Sequence, residues 1–137
     1  MTSLPAAFVD ANVVLRFLTR TPAHQAEAAA SLFARGQRSE VDLVLLPAVV
    51  AEIVYVLESV YDYDSERVRF ELMTLFDTGC FTIIDDAAIR RALALRVTTP
   101  VDFVDAYLVE KARYEGFGVA TFDRDLGRLG ADRMDLV

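Results

Sequence analysis

The stretch "LVLLPAVVAEIVYVL", Leu43 to Leu57, restricts the fold more than any other, because within it only Glu52 is neither apolar nor proline. Pro47 divides it. Proline has no amide to donate inside a strand or helix but is tolerated at a first helical position, so "VDLVLLP" reads as a buried strand feeding a helix that starts at Pro47. A buried strand followed at once by a largely buried helix requires a sheet covered by helices. Glu52 remains the exception. Either it lies on the one wet stripe of that helix, or its charge is wanted where a charge is costly. An unpartnered buried carboxylate would tend to take up a proton, its pKa rising by as much as about 3–5 units.

The same alternation recurs along the chain. "AAFV" is an apolar run of strand length that ends at Asp10, and "NVVLRFLTR" after it has helical spacing at Val13, Leu15, Phe17 and Leu18. Pro22 opens an alanine-rich helix, and Gly36 is placed to end it. Asp64 or Ser65 can cap "SERVRFELMTLFDTG", which stops at Gly79; "CFTII" is the next strand and "DAAIRRALALRV" the next helix. "PVDFVDAYLVEKARYEG" is a further helix closed by Gly116, "FGVATF" a strand ending at Asp123, and "DRDLGRLG" a short helical turn. Strands alternating with helices in this order predict an α/β domain with a mainly parallel sheet, whose ligands collect beyond the carboxyl ends of the strands.

Composition narrows the chemistry. With 137 residues, 54% of them hydrophobic, the chain is expected to form one domain over 1–137, since no linker, repeat or low-complexity tract divides it. Cys80 is the single cysteine and His24 the single histidine. A single cysteine rules out an internal disulfide and cysteine-built zinc sites and fits a reducing cytoplasm, while a lone histidine expected at the surface leaves little for histidine-rich zinc sites or histidine-centred triads. The amino-terminal stretch has no basic segment leading into a long apolar one, and Pro47 and Glu52 interrupt the longest apolar run, so a soluble, unexported protein with no membrane span is expected. The formal net charge is −7, and bulk electrostatics therefore does not mark a nucleic-acid binder.

The acids are arranged more pointedly than their number implies. Asp10 and Asp123 follow predicted strands, which a parallel sheet would bring to one edge. Asp102 and Asp105 are one helical step apart, and Glu52 lies about one and a half turns into its helix. These acids together would repel one another, and a hard divalent cation held by oxygen ligands, Mg²⁺ or Mn²⁺, would reverse that repulsion. Each has a plainer role as well: Asp10 as an N-cap, Asp102 as the cap of its helix with Asp105 in the first turn, Asp123 and Asp125 as turn or capping residues, and Glu52 as a solvent-facing position. Asp105, set in "FVDAYLV" among apolar neighbours, fits the plain role least well. The other polar features read as structural: His24 at the surface, Cys80 as a small core residue, Arg90, Arg91 and Arg96 on a solvated helix face, and Tyr55, Tyr61 and Tyr63 as core or interface aromatics rather than a stacking platform.

Four segments, "FVDANVVLRFL", "PAVVAEIVYVL", "DFVDAYLVEKA" and "ATFDRDLGRL", together resemble the signature segments of PIN-domain ribonucleases, in particular the VapC-type toxins of bacterial toxin–antitoxin pairs. The resemblance spans nearly the whole chain. It implies a single PIN-like domain whose mainly parallel central sheet is flanked by helices on both faces. It also implies a metal-dependent endoribonuclease that uses Mg²⁺ or Mn²⁺, acts as a homodimer and is neutralised by a cognate VapB-type antitoxin. Asp10, Glu52, Asp105 and Asp123 match the family's acidic quartet, Asn12 and Thr121 its supporting polar positions, and Asp102 and Asp125 fall where relatives often carry further acids. Arg16 and Arg124 are placed to hold an RNA backbone.

Other readings are a PIN-like module that binds RNA or protein without cutting, and another Mg²⁺-dependent phosphoryl hydrolase. A haloacid-dehalogenase-like site would want a second aspartate where this chain has Asn12, and a receiver would want a well-placed late lysine, whereas the sole lysine, Lys111, lies mid-helix.

Overall fold

A computed structural model describes residues 4–134 and 136. The chain divides into two compact units, Met1–Ile84 and Asp85–Val137.

The first unit is an α/β layer built on three parallel strands, β1 (Ala6–Phe8), β2 (Asp42–Leu45) and β3 (Phe81–Ile83), in the order β1-β2-β3. Helices α1 (Ala11–Thr19) and α2 (Ala23–Gln37) connect the first two strands, and α3 (Pro47–Ser59) and α4 (Ser65–Phe76) the second and third. Ala7 aligns with Leu43 and Leu43 with Phe81, and the Val9 amide extends the β1–β2 ladder by donating to the Val44 carbonyl at 3.0 Å. The central strand alternates: Leu43 and Leu45 are buried, Asp42 and Val44 only partly so.

Pro47 is the first residue of α3, which buries Val50, Ile53, Val54 and Leu57. Asp64 caps α4, its carboxylate accepting from the Arg67 amide at 2.8 Å. Gly36 departs from expectation. Helix α2 runs past it to Gln37, and a Cβ at Gly36 would stand 2.5 Å from the Cys80 carbonyl oxygen. The glycine lets the end of α2 approach the backbone leading into β3; it does not terminate the helix.

The second unit pairs α5 (Asp86–Thr98) with α6 (Phe103–Glu115) and continues through β4 (Val119–Ala120), α7 (Arg124–Arg128) and β5 (Arg133–Met134). The two short strands are parallel, with Val119 opposite Arg133. Val109, Ala112, Val119 and Leu126 form a small core, with Leu129 and Ala131 against it. Gly116 closes α6 in the left-handed region at φ 72°, as its position predicts. The Arg96 side chain is a structural tie: its Nε donates to the Val101 carbonyl at 2.9 Å across the α5–α6 connection, where the sequence suggests only a solvated face. No helix among the described residues is long and apolar enough to cross a membrane.

Candidate active site

In the first unit, Asp10 occupies the N-cap of α1. Its backbone is extended there, and its Oδ1 accepts from the Ala11 amide at 2.8 Å. Capping engages one carboxylate oxygen; the other makes no hydrogen bond among the described residues. Asn12 is exposed on the first turn. Arg16, one turn further on, is half-buried and donates from Nε to Gln25 Oε1 at 3.0 Å, joining α1 to α2. Glu52 is exposed, and so is Tyr55 three residues on, while the buried residues of α3 fall on its other side. The apolar run therefore keeps its acid by placing it on the wet stripe of the helix, where no buried partner is needed.

In the second unit, Asp102 stands at the N-cap of α6 with extended backbone, but its side chain makes no capping bond. The expected capping role is thus filled by position and not by the carboxylate. Asp105, in the first turn, is partly buried, and its carboxyl is held above the usual aspartate range, first by burial and then by the negative charges of Asp102 and Asp123. Asp105 is thus close enough to feel the charge of both Asp102 and Asp123.

Asp123 caps α7. Its Oδ1 accepts from the Asp125 amide at 2.8 Å, and its own amide donates to Thr121 Oγ1 at 2.9 Å. Thr121 thus fixes the backbone that presents Asp123. Asp125 is turned to Arg128, 3.0 Å away, and Arg124 is exposed at the start of α7. Among the described residues no group of three or more His, Cys, Asp or Glu side chains is set to hold a metal ion. The donor chemistry nevertheless suits one. Asp102, Asp105 and Asp123 offer only carboxylate oxygens, and the negative charge that two of them place on Asp105 is the kind a hard divalent cation relieves.

One polar cluster has no counterpart in the sequence expectations. Asp85 sits in the left-handed region at φ 59°, and its carboxylate accepts from the Tyr107 hydroxyl and from Lys111 Nζ, the latter at 2.8 Å. Lys111 also bonds Glu115 Oε1 at 2.8 Å. The cluster lowers the Asp85 carboxyl below its ordinary value through Lys111 and Tyr107. Burial, then the Asp85 bond, pushes the Tyr107 phenol up to about 12. The available signal was the spacing of Tyr107 and Lys111, four apart on one face of α6.

A PIN domain profile matches residues 7–132. The chain belongs to the PIN domain family. No curated protein and no solved structure matched it individually. PIN domains are typically nucleases, hydrolases acting on nucleic acid, and usually bind a divalent metal.

Proposed function

We propose that this PIN domain, taken as one domain over residues 1–137, is a metal-dependent endoribonuclease and the toxin of a type II toxin–antitoxin pair. The observation that carries the reading is the PIN domain match over residues 7–132, with Asp10 and Asp123 each keeping one carboxylate oxygen clear of the helix cap it makes. In the proposal Asp10, Glu52, Asp105 and Asp123 are the ligating acids, with Asp102 and Asp125 as further acids nearby.

When bound, Mg²⁺ or Mn²⁺ would supply a more acidic water and offset the charge that develops on the phosphate and leaving oxygen. The protein's own part is positional. The caps of α1 and α7 each fix one oxygen of Asp10 and Asp123 and leave the second for a ligand, so capping and ligation coexist in one side chain. Thr121 holds Asp123 in place, and Asn12 lies on the turn after Asp10. Arg16 and Arg124 are proposed to steady the RNA backbone, and a homodimer neutralised by a VapB-type antitoxin completes the assignment.

The test is cleavage of RNA by purified, partner-free protein. Asp10→Asn, Asp105→Asn and Asp123→Asn, made separately, are each expected to lower the rate at least about a hundredfold, the scale of losing a group that organises transition-state charge. Rates that survive all three changes would overturn the proposal. Saturable RNA binding without any metal-dependent cleavage would favour the non-catalytic binding module instead.

A further inference from the structure

A polar groove of about 590 Å³ in the first unit is lined in part by Arg20, Thr21, Tyr61, Tyr63, Arg67 and Glu71. Its volume is in the range of small-molecule and cofactor sites. Three features make it more than a surface dent.

The Arg67 guanidinium lies over the Tyr63 ring, 3.7 Å from the centroid, and Tyr61 meets Tyr63 edge-on with centroids 6.3 Å apart. Two partly buried aromatic rings and a flat cation thus line one wall. Arg20 makes no ion pair or side-chain hydrogen bond among the described residues, and it holds φ 61°, a left-handed conformation that asparagine or glycine adopts far more readily than arginine. Its guanidinium is a free cation at a position where the backbone disfavours it. The charged residues lining the groove are two arginines and Glu71, and with Glu71 3.9 Å from Arg67 Nε it is Arg20 that has no carboxylate partner there among the described residues.

From these features we infer that this groove binds one nucleotide of single-stranded RNA, resting on the reading of the chain as a ribonuclease. The base stacks on the Tyr61 ring, which the Tyr63–Arg67 pair braces edge-on, its phosphate pairs with Arg20, and Glu71 accepts from a base N–H. Stacking and guanidinium contacts are sequence-tolerant, because every base has a π-face, so the groove adds grip on a single strand without reading its sequence.

The test is binding of a fluorescently labelled ten-nucleotide single-stranded RNA, followed by anisotropy in chelator so that nothing is cut, with circular dichroism confirming that each variant folds. Tyr61→Leu is expected to weaken binding about tenfold, the scale of losing one stacked base, and Tyr61→Phe to restore it. Arg20→Asn, which suits the backbone better than arginine, is expected to weaken binding and to lower the slope of log affinity against log salt by about 0.7, one phosphate contact. Wild-type affinity and salt slope in folded Tyr61→Leu and Arg20→Asn would overturn the inference, as would an absence of RNA binding by the parent protein. The ribonuclease reading fails separately. Metal-dependent cleavage with unchanged variant binding would overturn the groove alone, whereas groove-dependent binding without cleavage would support the groove and overturn the nuclease.

Discussion

Both units of the chain rest on apolar burial, and they differ in the polar ties added to it. In Met1–Ile84 the central strand and α3 place Leu43, Leu45, Val50, Ile53 and Leu57 at or near zero exposure, and stability there is a matter of apolar burial. In Asp85–Val137 the strands are two residues long; α5 and α6 bury Ile89, Ala92, Leu93, Phe103 and Ala106, and a smaller cluster gathers around Val109. Polar ties are added to that burial: Asp85 to Tyr107 and Lys111, Lys111 to Glu115, and Arg113 to both the buried Glu110 and the Leu129 carbonyl. Apolar burial does not depend on side-chain protonation, whereas charge-assisted bonds do. The Asp85 cluster is therefore where the stability of the second unit answers to pH.

Three substitutions probe that contrast. The largest effect is expected from Leu57→Ala, which empties a fully buried position of α3 and should lower unfolding free energy by roughly 2–5 kcal/mol in chemical denaturation, equally at neutral and mildly acid pH. A loss that varied with pH would mean that charge, not packing, governs the first unit. Gly36→Ala comes next. Its Cβ would press on the Cys80 carbonyl, a backbone atom that cannot swing aside, and a loss of about 1–3 kcal/mol is expected even though alanine is the better helix former. A stabilised variant would show that the glycine only ends the helix after all.

Asp85→Asn is expected to be the mildest, about 1 kcal/mol at neutral pH, because the carboxylate is partly open to solvent and its charged bonds are screened accordingly. Asparagine tolerates the left-handed backbone, so the change isolates the charge. The lowered carboxyl in the folded state means that its stabilisation is complete above the ordinary value of 3.8 and fades as pH falls below it. Thermal unfolding should therefore separate parent and variant at pH 7 and bring them together in strong acid; an equal gap at both would remove Asp85 from the account.

Much of the α/β pattern could be read directly. Pro47 announced the break between β2 and α3, and the four apolar runs all contain strands, because short apolar runs bounded by turn residues leave a sheet little alternative. Strand β5 could not be read, since Arg133 and Met134 are exposed and belong to it only through backbone pairing with β4. Gly36 was misleading because a glycine near a helix end looks the same whether it terminates the helix or admits a neighbour's carbonyl. For the site, the strand-end positions of Asp10 and Asp123 and the apolar setting of Asp105 were visible in the sequence. The empty capping role of Asp102 and the solvent-facing position of Glu52 depend on side-chain direction, which residue spacing does not convey. Asp85 was hidden for another reason: acids before a helix suggest capping, and nothing local reveals a left-handed backbone turned toward Tyr107 and Lys111.

The most direct test of the central claim is a time course of RNA cleavage by the purified chain with Mn²⁺ or Mg²⁺ and, in parallel, with chelator. The account predicts cleavage at internal phosphodiesters that stops on chelation, resumes when metal is restored and is absent in Asp105→Asn. Cleavage that proceeds unchanged in chelator, or that Asp105→Asn leaves intact, would contradict it.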